Sequence, residues 1–187
     1  MVPRRGPALD WISINISAVQ LTDLALIADV SAALESSELA PHQLVLEMTE
    51  TALMTAPDKA RTFLTAAREL GVRIAVDDFG TGYSSLSNLE QFPIDILKVD
   101  TSVVNSASAR GELSAVARTI LDLSRNLHVQ AIAEGIERAD QAQTFMEREC
   151  RLGQGFLFSR PLPPDEFEAY IHKHAPAGAD VTLVGSA

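Results

Sequence analysis

Short β-type runs recur along this chain, and each stops at or beside a residue able to do chemistry. In order these are Asn15, Glu47, Asp77 with Asp78, Lys98 with Asp100, Glu134 with Glu137, and Gln154, the last at the entry to its run. Carboxylate and amide oxygens suit a hard divalent cation such as Mg²⁺ or Mn²⁺. The imidazoles that zinc, nickel or copper would favour are badly placed: His42, His172 and His174 fall in helical or loop surroundings and His128 precedes a strand, so all four read as surface or packing residues. Two adjacent aspartates can hold two cations, but successive strand residues point to opposite faces. Asp77 and Asp78 therefore share a site only where the chain leaves strand geometry, a departure that Gly80 and Gly82 make easy. Lys98 alternates with Ile96 and Asp100, so the three share a face. A lysine facing the interior is costly unless paired or useful. It either forms a structural ion pair with Asp95 or Asp100, or orients a nucleophilic water and neutralises charge on a phosphate.

The runs themselves are "WISIN", "LVLEM", "RIAVD", "DILKV", "VQAIAE" and "GFLF". Their apolar and β-branched content predicts strands. Helical periodicity appears between and after them, over residues 21–39, 58–70, 84–91, 108–127, 139–150 and 164–174. Pro57-Asp58 and Pro163-Pro164-Asp165 put proline and acid where a first helical turn wants them, and Gly71 follows Leu70 where a helix should stop. Strand and helix alternate about six times, which predicts an α/β fold with parallel strands. In such folds the loops leaving the carboxyl ends of the strands share one face. One polar residue at a strand end usually just begins a turn. Acids and amides at five consecutive ends point instead to a common site.

The 187 residues, 47% of them hydrophobic, suffice for one sizeable core, and one domain is expected. A formal charge of −10 argues against a protein that binds by neutralising a nucleic-acid polymer. Cys150 is the single cysteine, which excludes an internal disulfide and a cysteine-based zinc site and fits a reducing cytoplasm. The N-terminus has no apolar h-region, and the most apolar helical stretch, "LALIADVSAAL", is interrupted by Asp29 and too short to span a bilayer. No membrane segment is expected in this chain, and a membrane anchor on a longer parent protein stays compatible with it. Residues 175–187 lose the helical pattern and read as a flexible tail after a domain of residues 1–174.

Six motifs in order, "INIS", "LEMTET", "AVDDFGTGYSSL", "IDILKVD", "AIAEGIE" and "GQGFLFSRPLP", together resemble the EAL domain family of cyclic di-GMP phosphodiesterases. The resemblance covers residues 11 to about 174 and implies a TIM-type (β/α) barrel, here incomplete with about six βα units. It implies that two Mg²⁺ or Mn²⁺ ions are held by Asn15, Glu47, Asp77 and Asp78, with Asp77 between them. Glu134 would act as general base or metal-site partner, and Lys98 would hold the water or phosphate. Glu137 and Gln154 would wall the pocket with Asp100 in support, Glu50 would brace the loop after Asp78, and the region after Asp78 would serve a homodimer. Arg160 reads as a surface residue.

The tripeptide that names the family, Glu-Ala-Leu, does not occur in this sequence, and its glutamate is an expected metal ligand. About 60 residues of a full barrel of about 250 would precede the first motif. The expectation is a chain with most of its ligand set, weak or absent turnover by itself, and two unpaired strand edges. A non-catalytic module that binds cyclic di-GMP or a protein partner is the alternative, and a generic Mg²⁺-dependent barrel enzyme acting on another phosphate is a third reading. Lesser departures from the family are Met48, Thr101 and Arg151.

Overall fold

Strands flanked by helices bury both faces, and each predicted run except the last becomes one. In the computed structural model, which describes residues 10–81, 89–106 and 112–174, the strands are β1 (Ile12–Asn15), β2 (Leu44–Thr49), β3 (Arg73–Phe79), β4 (Ile96–Val99), β5 (Gln130–Ala133) and β6 (Leu152–Gly153). All pair in parallel, in sequence order. The helices are α1 (Ala25–Ser37), α2 (Glu50–Thr55), α3 (Pro57–Glu69), α4 (Thr101–Asn105), α5 (Ala115–Asn126), α6 (Ala139–Met146) and α7 (Pro164–His174). Alternating strand and helix with a right order of neighbours gives an incomplete (β/α) barrel.

Local chemistry sets the helix boundaries. The helix predicted from residue 21 begins at Ala25, because Asp23 Oδ1 accepts from Ala25 N at 2.9 Å after a single 3-10 turn. Proline opens α3 at Pro57, and Gly71, at φ +90°, stops the chain just beyond it. Ser114 caps α5 through Ala117 N, so that helix starts seven residues later than its periodicity predicts. Helix α6 ends at Met146 and not at Cys150, where Glu149 turns into a left-handed conformation. The two helices without a prediction, α2 and α4, are too short to display a period. The predicted helix 84–91 lies mostly, and the tail 175–187 wholly, outside the described residues.

"GFLF" is not a strand. The strand is the preceding Leu152–Gly153, and residues 155–158 turn back, with Leu157 N on Ile136 O at 2.9 Å and Phe158 N on Gly155 O at 3.0 Å. Gly155 lies so close to Ile136 that a Cβ would meet its backbone at 2.3 Å. Gln154 consequently leaves β6 instead of entering a strand, and joins the carboxyl ends of the others.

One face of the sheet, including Leu46, Met48, Ile74, Val76, Leu97 and Val99, packs against helix residues such as Phe63, Leu64, Ile120 and Phe145. The inner face has two storeys. Trp11, Val45, Ala75, Ile96 and Ile132 form an apolar layer toward the strand amino ends. One step along each strand, two residues on, come Ser13, Glu47, Asp77, Lys98 and Glu134. The apolar layer keeps water from reaching the acids from below. Among the described residues no ladder joins β6 to β1, and a cavity of about 690 Å³ opens there, lined by residues of β1, the β5 and β6 exits, and α7.

Where β5 leaves the sheet, Gly135 stands at φ +67°, and a Cβ there would lie 2.4 Å from Thr101 Cγ2 and Oγ1. Gly135→Ala should cost about 3 kcal/mol, from left-handed strain and overpacking together. Urea unfolding measures this, and Thr101→Gly in the same chain should recover the packing share but not the strain.

Candidate active site

Lys98 is the hub. Its side chain is 2% exposed, and its Nζ lies 2.6 Å from Glu134 Oε1, 2.7 Å from Glu47 Oε2 and 3.2 Å from Asp77 Oδ1. The three acids come from β2, β3 and the exit of β5, so a single ammonium ties the carboxyl ends of four strands together. The predicted structural pairing with Asp95 or Asp100 is not what forms. Asp95 sits at the amino end of β4, where it takes Arg68 Nη1 at 2.9 Å and Ile74 N at 3.0 Å. Asp100 caps α4 through Ser102 N at 2.8 Å.

Burial by itself would depress the Lys98 ammonium, but Glu134, Glu47 and Asp77 outweigh it and raise its pKa above the ordinary lysine range. Glu134 moves the same way for a different reason. Burial raises it to about 7, against the pull of Lys98 and with help from the negative charge of Asp77. Burial disfavours the charged form of the carboxyl more than Lys98 favours it, so Glu134 holds its proton up to neutrality.

The two aspartates share the site because the strand breaks. Between Val76 and Phe79 the chain takes three steps while β4 takes two, from Leu97 to Val99, which is a bulge. Asp78 carries it at φ +55°, a conformation aspartate tolerates better than most residues. Its N–H donates to Asp77 Oδ1 at 2.9 Å. The carboxylates of Asp77, Asp78 and Glu134 then offer oxygens within 4.8 Å of one another. Asp78 is raised above the ordinary aspartate value, by burial first and by Asp77 next. An all-oxygen group of mutually repelling acids fits a hard divalent cation.

Of the other predicted residues, Asn15 ends β1 in register with Glu47, and Asp100 stands close enough to share a hydrogen bond with Asp78. Glu137 and Gln154 line the cavity beside Glu134. Glu50 is buried in the first turn of α2, and the loop it was expected to brace lies mostly outside the described residues, as does the region expected at a dimer interface. Arg160 stacks 4.5 Å above the Phe156 ring at the cavity. Sequence reasoning passed over Gln141, whose buried side chain accepts from the N–H groups of both Glu137 and Arg138 at 3.0 Å. The spacing of Gln141 three residues after Arg138, as in a capping box, was the available signal.

The sequence matches the EAL domain family over residues 2–161. Cyclic di-GMP phosphodiesterase NbdA of Pseudomonas aeruginosa is 40% identical over 163 residues, 87% of this chain and 21% of that protein. The chain spans about a fifth of the length of the first curated relatives it matches. Among solved structures, the MucR phosphodiesterase of P. aeruginosa in complex with cyclic di-GMP superposes with a TM-score of 0.78 at 36% identity, over 84% of this chain and 64% of that one. BlrP1 of Klebsiella pneumoniae with manganese and cyclic di-GMP gives 0.70 at 33% identity, over 80% and 38%. Among the described residues no helix is long and apolar enough to cross a membrane. With its parallel strands, its strand-end acids and a family match over most of its length, this chain belongs to the EAL domain family.

Proposed function

We propose that this chain carries the metal-binding and proton-transfer part of a phosphodiesterase site that hydrolyses cyclic di-GMP to linear diguanylate. The observation that supports it most is the buried Lys98 held by acids from three strands, beside the oxygen group of Asp77, Asp78 and Glu134. Asn15, Glu47 and Asp77 would hold one Mg²⁺ or Mn²⁺ and Asp77 with Asp78 a second. Two such ions supply Lewis-acid polarisation of the phosphodiester and a water made acidic enough to attack at neutral pH. The chain's own groups do the rest. Glu134, its Oε1 2.6 Å from Lys98 Nζ and its carboxylate beside those of Asp77 and Asp78, is placed to take up a proton. Lys98 keeps Glu47, Asp77 and Glu134 from springing apart and offers positive charge where phosphate charge builds. Glu137 and Gln154 form the wall against which the ligand lies, with Asp100 and Glu50 in support. The homodimer through the region after Asp78 and a cytoplasmic setting belong to the same reading.

Binding without hydrolysis is the second reading, favoured by the cavity of about 690 Å³ beside Glu134, which can take a ligand against Glu137, Gln154 and Arg160 with no call on a cation. Incubation with cyclic di-GMP and Mn²⁺, with linear diguanylate resolved by chromatography, separates the two. Turnover that falls at least about a hundredfold in Asp77→Asn supports the enzyme. Calorimetric binding with no turnover supports the module, and neither binding nor turnover overturns both.

Lys98→Met removes the ammonium and leaves its acids facing one another. In chelator it should lose about 3–5 kcal/mol of stability. Mn²⁺ should restore more of that loss than it adds to the unsubstituted chain, because the cation supplies the missing charge. Thermal melts with and without Mn²⁺ check this, and equal metal increments in the two chains would contradict it.

Because the folded Glu134 holds its proton above the ordinary glutamate value of 4.5, up to about 7, the folded state binds more protons than the unfolded one between those values. Stability therefore falls as pH rises through that window. In chelator, the melting temperature of the unsubstituted chain should drop relative to Glu134→Gln between about pH 4.5 and 7, and a flat difference would refute the assignment.

A further inference from the structure

The loop from Glu134 to Arg138 carries two of the site's acids, and its main chain is held at nearly every residue. Glu134 N donates to Val99 O at 3.1 Å and Ile136 N to Gln154 O at 3.0 Å. Gly135 is pressed against Thr101. The N–H groups of Glu137 and Arg138 both go to one atom, Gln141 Oε1. Since that oxygen faces two donors, the amide nitrogen of Gln141 must face the other way, and there it donates to Asn105 Oδ1 at 2.8 Å.

An ordinary helix cap explains only part of this. A glutamine in the first turn that reaches back to the N–H of the capping residue satisfies Arg138 and stabilises α6. The bonds to Glu137 and Asn105 lie outside the helix. Asn105 ends α4, the helix that Asp100 caps, and Asp100 stands two residues beyond Lys98. Gln141, 1% exposed, thus bridges the limb bearing Lys98 and Asp100 to the limb bearing Glu134 and Glu137. Glu137 itself is exposed and lines the cavity beside Glu134 and Gln154. It has no buried packing of its own to hold its carboxylate in place.

We propose that Gln141 is a positioning residue of this site: its amide fixes the main chain of Glu137 relative to α4, so that losing it weakens ligand binding through Glu137 beyond any effect on the fold. The proposal deepens the cyclic di-GMP reading and rests on it.

Three variants of the full chain separate positioning from mere stability. Gln141→Leu keeps the volume and removes both functions of the amide. Gln141→Glu keeps the two accepting bonds, and the Asn105 amide can turn over to donate to it. Thr144→Val, on the same helix, removes a buried hydroxyl that donates to Asp140 O and serves as the stability control. Cyclic di-GMP affinity is measured by calorimetry in Ca²⁺, melting temperature by calorimetric scan, and amide exchange at Glu137 and Arg138 by NMR. Gln141→Leu should weaken binding about tenfold, as loss of an outer-shell partner does, and should speed exchange at both amides. Gln141→Glu should return affinity to within about twofold of the unsubstituted chain. Thr144→Val should lower the melting temperature without moving affinity. Affinity that follows melting temperature across all three variants, or unchanged in Gln141→Leu, would overturn the proposal. Failure of the unsubstituted chain to bind cyclic di-GMP would overturn the reading of the site. The exchange data then decide the clamp alone: protection lost in Gln141→Leu and kept in Gln141→Glu supports it, and protection kept in both refutes it.

Discussion

A single buried ammonium organises the inner face of this sheet. Lys98 is buried away from bulk solvent, so the carboxylates of Glu47, Asp77 and Glu134 take the place of its hydration. The reverse dependence is as strong. Glu47 is 2% exposed, and a buried carboxylate without a cation beside it would take up a proton or leave the interior. Each strand end is thus fixed by the charge on another strand. The apolar layer of Trp11, Val45, Ala75, Ile96 and Ile132 beneath them excludes water and makes that mutual dependence stringent.

Balance is incomplete: Lys98 faces three carboxylates, and Asp78 lies beside them. Burial first, with the negative charge of Asp77 adding to it, leaves Glu134 and Asp78 above their ordinary pKa values. A structural ion-pair cluster would match its charges and gain more from them. Here the acids gather further by means of strain. Asp78 accepts a left-handed backbone, and its carboxylate comes round to the same side as that of Asp77. That local structural cost concentrates like charge at one point of the sheet, the arrangement that the proposed cation would offset.

Much of this was legible in the sequence, and the failures have physical causes. The strand-end acids stood out because a parallel sheet buries its strands in near-continuous apolar runs, against which Glu47 or Lys98 is conspicuous. The need for a break at Asp77 and Asp78 followed from strand alternation alone. Its form did not, since nothing in "VDDFG" says whether the aspartate or the glycine takes the positive φ, and both do. The sequence alone left two readings of Lys98 open, and the structural pair with its neighbours Asp95 or Asp100 is the one that does not form. Parallel pairing instead sets Lys98 beside Ile132 on β5, two residues short of Glu134. "GFLF" failed as a strand because apolar content does not report crowding, and only the fold brings Ile136 against Gly155. Helices α2 and α4 left no period to read, yet both follow directly from capping residues at strand ends.

Those caps explain why this end of the sheet can hold a site at all. Thr49 takes Ala52 N and Asp100 takes Ser102 N, so the residues that start α2 and α4 are the continuation of the inner face of β2 and β4 beyond Glu47 and Lys98. A connection with no spare residues cannot shift without unwinding a helix or pulling a strand out of register. The β5 exit is built differently. Its loop is longer, and no side chain of the strand end caps α6, so Gln141 reaches back from within the helix to hold it. The polar residues of this face therefore serve in two ways: some receive charge, and others keep the loops short and rigid enough for that charge to stay where it is.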